Sequence, residues 1–303
     1  TSPGVWREVA IAEGRGGEVR LYGSISNDLH ALEKLTRKLA GPDVVLHIVY
    51  EAGPCGFGIY RRLKQLGIDC AVVAPSLIPK KSGDRVKTDR RDAVALARLH
   101  RAGELTAVHV PDERDEAVRD LGRARTDGVK DARAGRYRLK AFLLRQGYKY
   151  TGKSSWSQAH MRYLRELVMA HPAHKVVLEE NLLTITQTTG RIKRFDEQIE
   201  TLVQGWRMKP VVEALMGLRG IQLLSGAVLC AELGDLSRFT HPRQLMAYLG
   251  LVASEYSSGG SRRQGSITKA GNAHARCFMV EAAQHYRLAP KVSKELSKRL
   301  EHL

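Results

Sequence analysis

The chain has 303 residues, with 49 Lys plus Arg against 32 Asp plus Glu and a formal charge of +17. That length allows two domains with a sizeable core, and so large a basic excess points away from small-molecule metabolism and towards a polyanion, nucleic acid first. A membrane partner is disfavoured, because no run spans a bilayer and no signal-peptide core or basic amphipathic helix with a Trp/Phe face is present. Cys55, Cys70, Cys230 and Cys277 lack CxxC spacing, which argues against zinc fingers and a disulfide scaffold and for a reducing, cytosolic setting. Aromatics make up only 6%, which argues against base-stacking platforms as the main binding mode.

Residues 1–110 alternate strand and helix patterns. Val5 to Ala12 and Glu18 to Tyr22 read as a hairpin around Gly14–Gly17. Leucines at 29, 32, 35 and 39 give helical spacing, and Val44 to Tyr50 is a β-branched run ending at Glu51. Gly58 to Leu66 reads as helix, Asp69 to Ala74 as a buried strand, and Ala107 to Val110 as a further strand. The alternation predicts an α/β domain around a central mixed sheet.

Within this zone lies KTDRRDAVALARL, Lys87 to Leu99. Asp89 and Asp92 open a helical run, so their Cβ atoms lie roughly 5–6 Å apart on one face. Two readings stand. One makes Asp89 the N-cap and places Asp92 in the first turn, both favoured by the helix dipole. The other makes the pair ligands of a hard divalent ion such as Mg²⁺, in a segment where Lys87, Arg90, Arg91 and Arg98 would meet phosphate. Glu51, at the carboxyl end of its strand, is placed to join them or to be a solvated turn residue. Three carboxylates from separate elements would form an RNase H-like arrangement around the ion.

Residues 111–210 are helical and arginine-rich. Arg123, Arg125, Lys130, Arg133, Arg136, Arg138, Lys140, Arg145 and Lys149 suit a helix that tracks phosphates, the alternative being a solvated face. Leu178, Leu182, Ile185, Thr189, Ile192, Asp196, Ile199, Val203 and Trp206 follow a 4–3 spacing, either a coiled-coil seam for self-association or a helix packed on its own domain. His171 and His174 read as surface histidines.

Residues 211–303 open on LRGIQLLSGAVLCAELGD, Leu218 to Asp235. Its small residues suit either a helix–turn–helix pressed on a DNA backbone or plain tight packing. The loop SEYSSGGSRRQGSITKAGN follows, then a final helix from about His274. In Ser257-Ser258-Gly259-Gly260-Ser261-Arg262-Arg263 the glycines admit a close phosphate and the arginines would bind it. A serine there is a phosphate ligand or a nucleophile, activated by a base or metal; His274 and His285 are the histidines that would approach it. A flexible basic loop is the other explanation.

The segments YEAGPCGFGIYRRL, KTDRRDAVALARLHRAGELTAVHVPD, LRGIQLLSGAVLCAELGDLSRF, QLMAYLGLVASEYSSGGSRRQGSITKAGNAHAR and VEAAQHY resemble the DEDD-type insertion-sequence transposases, the bridge-RNA-guided serine recombinases related to Piv-like DNA invertases. The likeness runs nearly end to end. It implies an RNase H-like domain of the Holliday-junction-resolvase type over 1–110, a helical coiled-coil dimerisation segment over 111–210, and a mainly helical transposase domain with a catalytic serine over 211–303. By the same resemblance Glu51, Asp89 and Asp92 match the second to fourth acidic residues and hold Mg²⁺. Ser258 matches the serine of the SSG motif, with Ser257 the alternative.

The implied activity is cleavage and rejoining of double-stranded donor and target DNA through a phosphoserine, directed by a structured guide RNA. The acting form would be a dimer or dimer of dimers in a bacterial, nucleoid-associated setting. Arg136, Arg138, Lys140, Arg262, Arg263 and Lys269 are the expected nucleic-acid contacts, by their chemistry. The alternatives are a metal-dependent structure-specific nuclease using water, and a catalytically inactive nucleic-acid-binding protein. One departure stands out. The family's first Asp falls at or before Thr1, and TSPGVWRE has none.

Overall fold

A computed structural model describes residues 6–14, 16–79 and 88–289. Lys87, the position at or before Thr1 and the chain beyond 289 lie outside the described residues. The chain divides into two compact units, Thr1–Val110 and Pro111–Leu303.

The first unit is mixed α/β. Strand β1 (Trp6–Ala12) pairs antiparallel with β2 (Val19–Ser26), with an irregularity between Val9 and Ala10. The second strand therefore runs past Tyr22. Helix α1 (Leu29–Leu39) is capped by Asp28, whose carboxylate accepts from the Ala31 N–H at 2.7 Å. Strand β3 (His47–Glu51) pairs in parallel with β4 (Asp69–Val73), and α2 (Gly58–Gln65) connects them. Helix α3 (Asp89–Arg101) packs on β1, β2 and β3.

The expected single mixed sheet is instead two separate two-stranded sheets among the described residues. Arg7 to Ala12 of β1 and all of β3 line one cavity of about 2360 Å³, whereas no β4 residue does. Arg20, Leu21 and Ile25 of β2 line it too, so both strand pairs contribute to its wall, and no ladder joins them among the described residues. The expected strand from Ala107 to Val110 also shrinks, to a single bridge between Ala107 and Val73.

The second unit is mainly helical. Helix α4 (Glu113–Arg145) is followed by α5 (Gln158–Glu166) and α6 (Pro172–Gln204). Along α4 and α6, Asp115 meets Trp206, Gly128 faces Ile192, Gly135 faces Ile185 and Phe142 meets His174. Descending numbers against ascending ones mean that α4 and α6 form an antiparallel hairpin.

The 4–3 seam of α6 is thus covered by the chain's own α4. Leu178, Ile185, Ile199, Val203 and Trp206 are buried, so the seam presents no open stripe to a second copy. Its polar interruptions are satisfied locally: Thr189 donates to the Ile185 carbonyl at 2.7 Å, and Asp196 pairs with Arg125. The complement on α4 is a row at 128, 132, 135, 139 and 142, of which Gly128, Ala132 and Gly135 are small and buried. An added Cβ at Gly128 or Gly135 would sit 3.3 Å from an isoleucine Cγ1.

Helices α7 (Lys209–Met216), α8 (Leu223–Leu233), α9 (Pro242–Tyr248) and α10 (Ala273–Gln284) complete the unit, with the hairpin of β5 (Ala253–Glu255) and β6 (Gln264–Ile267) between α9 and α10. Every residue of α8 from Gly226 to Leu233 is buried. The small residues there serve close packing on Val212 and Ile221 and leave no open face for a DNA backbone, so the helix–turn–helix reading is set aside.

Replacing Gly135 with Leu should force α4 and α6 apart and lower the unfolding free energy by about 1–3 kcal/mol. Ile185→Ala should cost about 2–5 kcal/mol by leaving a void. Urea denaturation followed by circular dichroism measures both, and wild-type stability in both variants would contradict the packed hairpin.

Candidate functional site: carboxylate cavity and serine hairpin

Glu51, Asp89 and Asp92 line the same cavity of the first unit. Glu51 ends β3, while the two aspartates stand in the first turn of α3. The α3 cap is Thr88, whose Oγ1 accepts from the Arg91 N–H at 3.3 Å. Asp89 is therefore not the cap, and its exposed carboxylate is not engaged in capping.

Sequence reasoning missed Glu8. It lines the cavity from β1, accepts from Ser24 Oγ at 2.7 Å and lies 3.6 Å from Arg90 Nε, while its buried Oε2 has no partner. An oxygen-only set of this kind suits a hard divalent ion. Among the described residues, however, no three His, Cys, Asp or Glu side chains converge on one metal-sized point.

Ser258 belongs to the second unit, at the tip of the β5–β6 hairpin. Its backbone exchanges two 3.1 Å hydrogen bonds with Ser261 across a turn in which Gly259 has φ +56°, a conformation that a side chain would strain. The neighbouring hydroxyl is engaged: Ser257 Oγ donates to Glu255 Oε1 at 2.7 Å and accepts from the Arg263 N–H at 3.2 Å. No such bond holds the Ser258 hydroxyl among the described residues. Arg262 lies 3.7 Å from Glu255, and Lys269 sits at the hairpin base with φ +56°. Neither histidine expected nearby hydrogen-bonds Ser258; His274 is engaged with Glu232 and Thr126.

The largest departure from the sequence reading is Glu232. It is buried in α8 and accepts from four donors: Arg123 Nε at 2.7 Å and Nη2 at 2.9 Å, His274 Nδ1 at 2.9 Å, and Asn272 Nδ2 at 2.8 Å. Because a carboxylate only accepts, His274 Nδ1 carries the hydrogen. Burial alone would raise the Glu232 pKa. The hydrogen bonds from His274, Arg123 and Asn272 more than offset it and hold the group at about 2. The available signal was a lone acid inside LLSGAVLCAEL, which demands partners when buried.

This corrects the reading of α4 as one phosphate-tracking face. Arg123 pairs with Glu232, Arg125 with Asp196 and Lys130 with Asp127. Among the described residues Arg136, Arg138 and Lys140 form no such ion pair, and Arg138 and Lys140 are exposed. The basic run is thus structural towards its start and open towards its end.

Two family models match this chain. A DEDD transposase model covers residues 8–147, and the model described as the IS116/IS110/IS902 transposase family covers 212–298. A putative transposase, y4qE, of Sinorhizobium fredii is 45% identical over 97% of this chain and 73% of its own. The transposase for insertion sequence element IS1533 of Leptospira borgpetersenii is 30% identical over 77% and 70%, and a probable family 20 transposase of Pseudomonas aeruginosa is 30% identical over 76% and 68%. The chain belongs to the IS110/IS116 family of DEDD transposases.

Glu232→Gln should destabilise the protein at pH 7 by about 2–3 kcal/mol, the range for a hydrogen-bonded buried charge. A depressed carboxylate pKa contributes stability above its ordinary value of 4.5, and that contribution is lost as pH falls towards 2. The gap between wild type and variant should therefore close from pH 4.5 to about 2. A pH series of urea transitions measures it, and a gap independent of pH would contradict the network.

Proposed function

We propose that this chain is a DNA transposase that cuts and rejoins strands through Ser258, with a carboxylate-held Mg²⁺ at Glu51, Asp89 and Asp92. The observation that carries the choice of serine is the hairpin tip, where the Ser257 hydroxyl is engaged by Glu255 and Arg263 and the Ser258 hydroxyl is open. The family membership supports strand transfer over the water-dependent nuclease and the inactive binder.

The residues divide the work. Ser258 Oγ attacks a backbone phosphorus and bonds to it as the phosphorus–oxygen bond to the leaving strand breaks; the proton lost by the serine hydroxyl ends on the leaving strand's freed oxygen as a hydroxyl, and resealing reverses these changes. Arg262, Arg263 and Lys269 flank the hairpin and would orient the phosphate oxygens. Mg²⁺, when bound, would withdraw charge from a phosphodiester oxygen. Glu51, Asp89 and Asp92 would hold it through oxygen alone, within an RNase H-like unit. Glu8 adds a further carboxylate on the same cavity.

Arg136, Arg138 and Lys140 serve as nucleic-acid contacts. A charge of +17 and a run without paired acids support binding to double-stranded DNA and to a structured guide RNA. Self-association uses a surface other than the α6 seam, whose apolar residues pack on α4.

Ser258→Ala should abolish both cleavage and the covalent protein–DNA adduct while leaving DNA binding within about twofold, since it removes one oxygen. Ser257→Ala should be milder. Asp89→Asn and Asp92→Asn should stop cleavage with partial rescue by excess Mg²⁺, which Ser258→Ala should not show. An adduct formed by Ser258→Ala would sink the serine assignment and promote the water-dependent reading.

A further inference from the structure

Residues 132–165 contain nine Lys or Arg and no Asp or Glu. They run from the second half of α4, through its connection to α5, to the end of that helix. The same stretch folds four rings into one cluster. Tyr150 lies 4.4 Å from His160 and 5.2 Å from Tyr163, centroid to centroid, and Trp156 lies 5.1 Å from His160. Composition argued against a stacking platform, but 6% aromatics is a whole-chain mean and does not reveal local gathering.

Core packing explains part of this corner. His160 and Leu164 are buried beneath it, and His160 Nδ1 accepts from the Trp156 N–H at 2.8 Å. Packing does not explain Arg136. Its guanidinium lies 5.4 Å from the Trp156 ring centroid, and among the described residues its buried Nε has no acceptor and no ion pair holds it. An Arg laid on an indole, in a stretch that holds no acid, leaves its positive charge to a phosphate or base from outside. Trp156 is partly exposed and is one of two described non-glycine residues at positive φ, +67°. Backbone strain of that kind costs about 1–3 kcal/mol and persists where surrounding structure imposes it, often at binding sites. Lys149 and Lys153, both exposed, flank the rings on the same connection.

We propose that this corner binds single-stranded nucleic acid, an unstacked base lying on the Tyr150–Trp156 surface and its phosphate on Arg136. Such a site takes a looped RNA base or a displaced DNA strand by the same chemistry. The inference rests on the reading of the chain as a nucleic-acid enzyme, but not on Ser258 or the carboxylates.

The test uses the full chain with a 12-mer of U, a 12-mer of dT and a mixed-sequence 20-base-pair duplex. Trp156→Leu should weaken single-strand binding about tenfold, as expected for losing one stacked base, and change duplex binding less than twofold. Trp156→Phe should restore single-strand affinity to within about threefold. Arg136→Ala should lower the slope of log affinity against log salt on the 12-mers by about 0.7, one single-strand phosphate contact.

Should Trp156→Leu fail to fold, indole emission reads the same contact. In a Trp6→Phe background the remaining indoles are Trp156 and the buried Trp206, so the 12-mers should quench and the duplex should not. Tighter binding of U or of dT identifies the source as RNA or DNA and supports the site in either case. Equal losses on single strand and duplex, an unchanged single-strand affinity, or absent quenching would each overturn it. In each of those cases, duplex binding by the unmutated chain leaves the broader reading standing; failure of the unmutated chain to bind any of the three overturns both.

Discussion

Four helical elements of the second unit meet at one buried carboxylate. Glu232 sits inside an otherwise apolar helix, where an unpaired charge would cost several kcal/mol. That cost fixes its partners: Arg123 from α4, and Asn272 and His274 at the start of α10. The Tyr248 hydroxyl, at the end of α9, donates to the Glu232 carbonyl at 3.3 Å. Asn272 has a second task, since its Oδ1 caps α10 by accepting from the Ala275 N–H at 3.0 Å. A single side chain thus ties the helix start to the core.

The serine hairpin hangs from that tie. Its base is held where Lys269 N–H donates to the Gly250 carbonyl at 3.0 Å and Asn272 N–H to the Tyr248 carbonyl at 2.9 Å. Gly250 and Gly271 have φ values of +66° and +101°, and added Cβ atoms would strike backbone at Ala270 and Tyr248. Only glycine lets the two strands of chain approach so closely. The exposed tip with Ser258 therefore projects from a base whose position follows from the buried network. A reactive hydroxyl on a hairpin needs such an anchor to keep its geometry.

Helix α4 presents two faces of opposite character. One face is small, with Gly128, Ala132 and Gly135 admitting the isoleucines of α6. The other is basic, and its cations divide by position: those near the start neutralise Glu232, Asp196 and Asp127, while those near the end pair with no acid among the described residues. Charge that is uncompensated within a fold favours an external polyanion and makes its binding salt-dependent.

Much of this was legible in the residues. Alternation located β1 to β4 and α1 to α3 to within a few residues, though not the lone bridge at Ala107, because pleat and helix periods are local properties. Asp89 and Asp92 at one helix start, and the SSG tract in a Gly-rich turn, were visible as spacing alone. Pairing was not. Whether β1 and β3 share a sheet, whether the α6 seam faces a second copy or α4, and which of two adjacent serines is open all depend on what lies opposite in space. Arg123 and Arg136 are equal as letters in a basic run. Burial of Glu232 against one and the indole of Trp156 against the other made the first a structural ion pair and left the second open. Sequence determined the local conformations and the kinds of chemistry available; tertiary packing decided which charges were already answered, because desolvation and partner distance act between residues far apart in the chain.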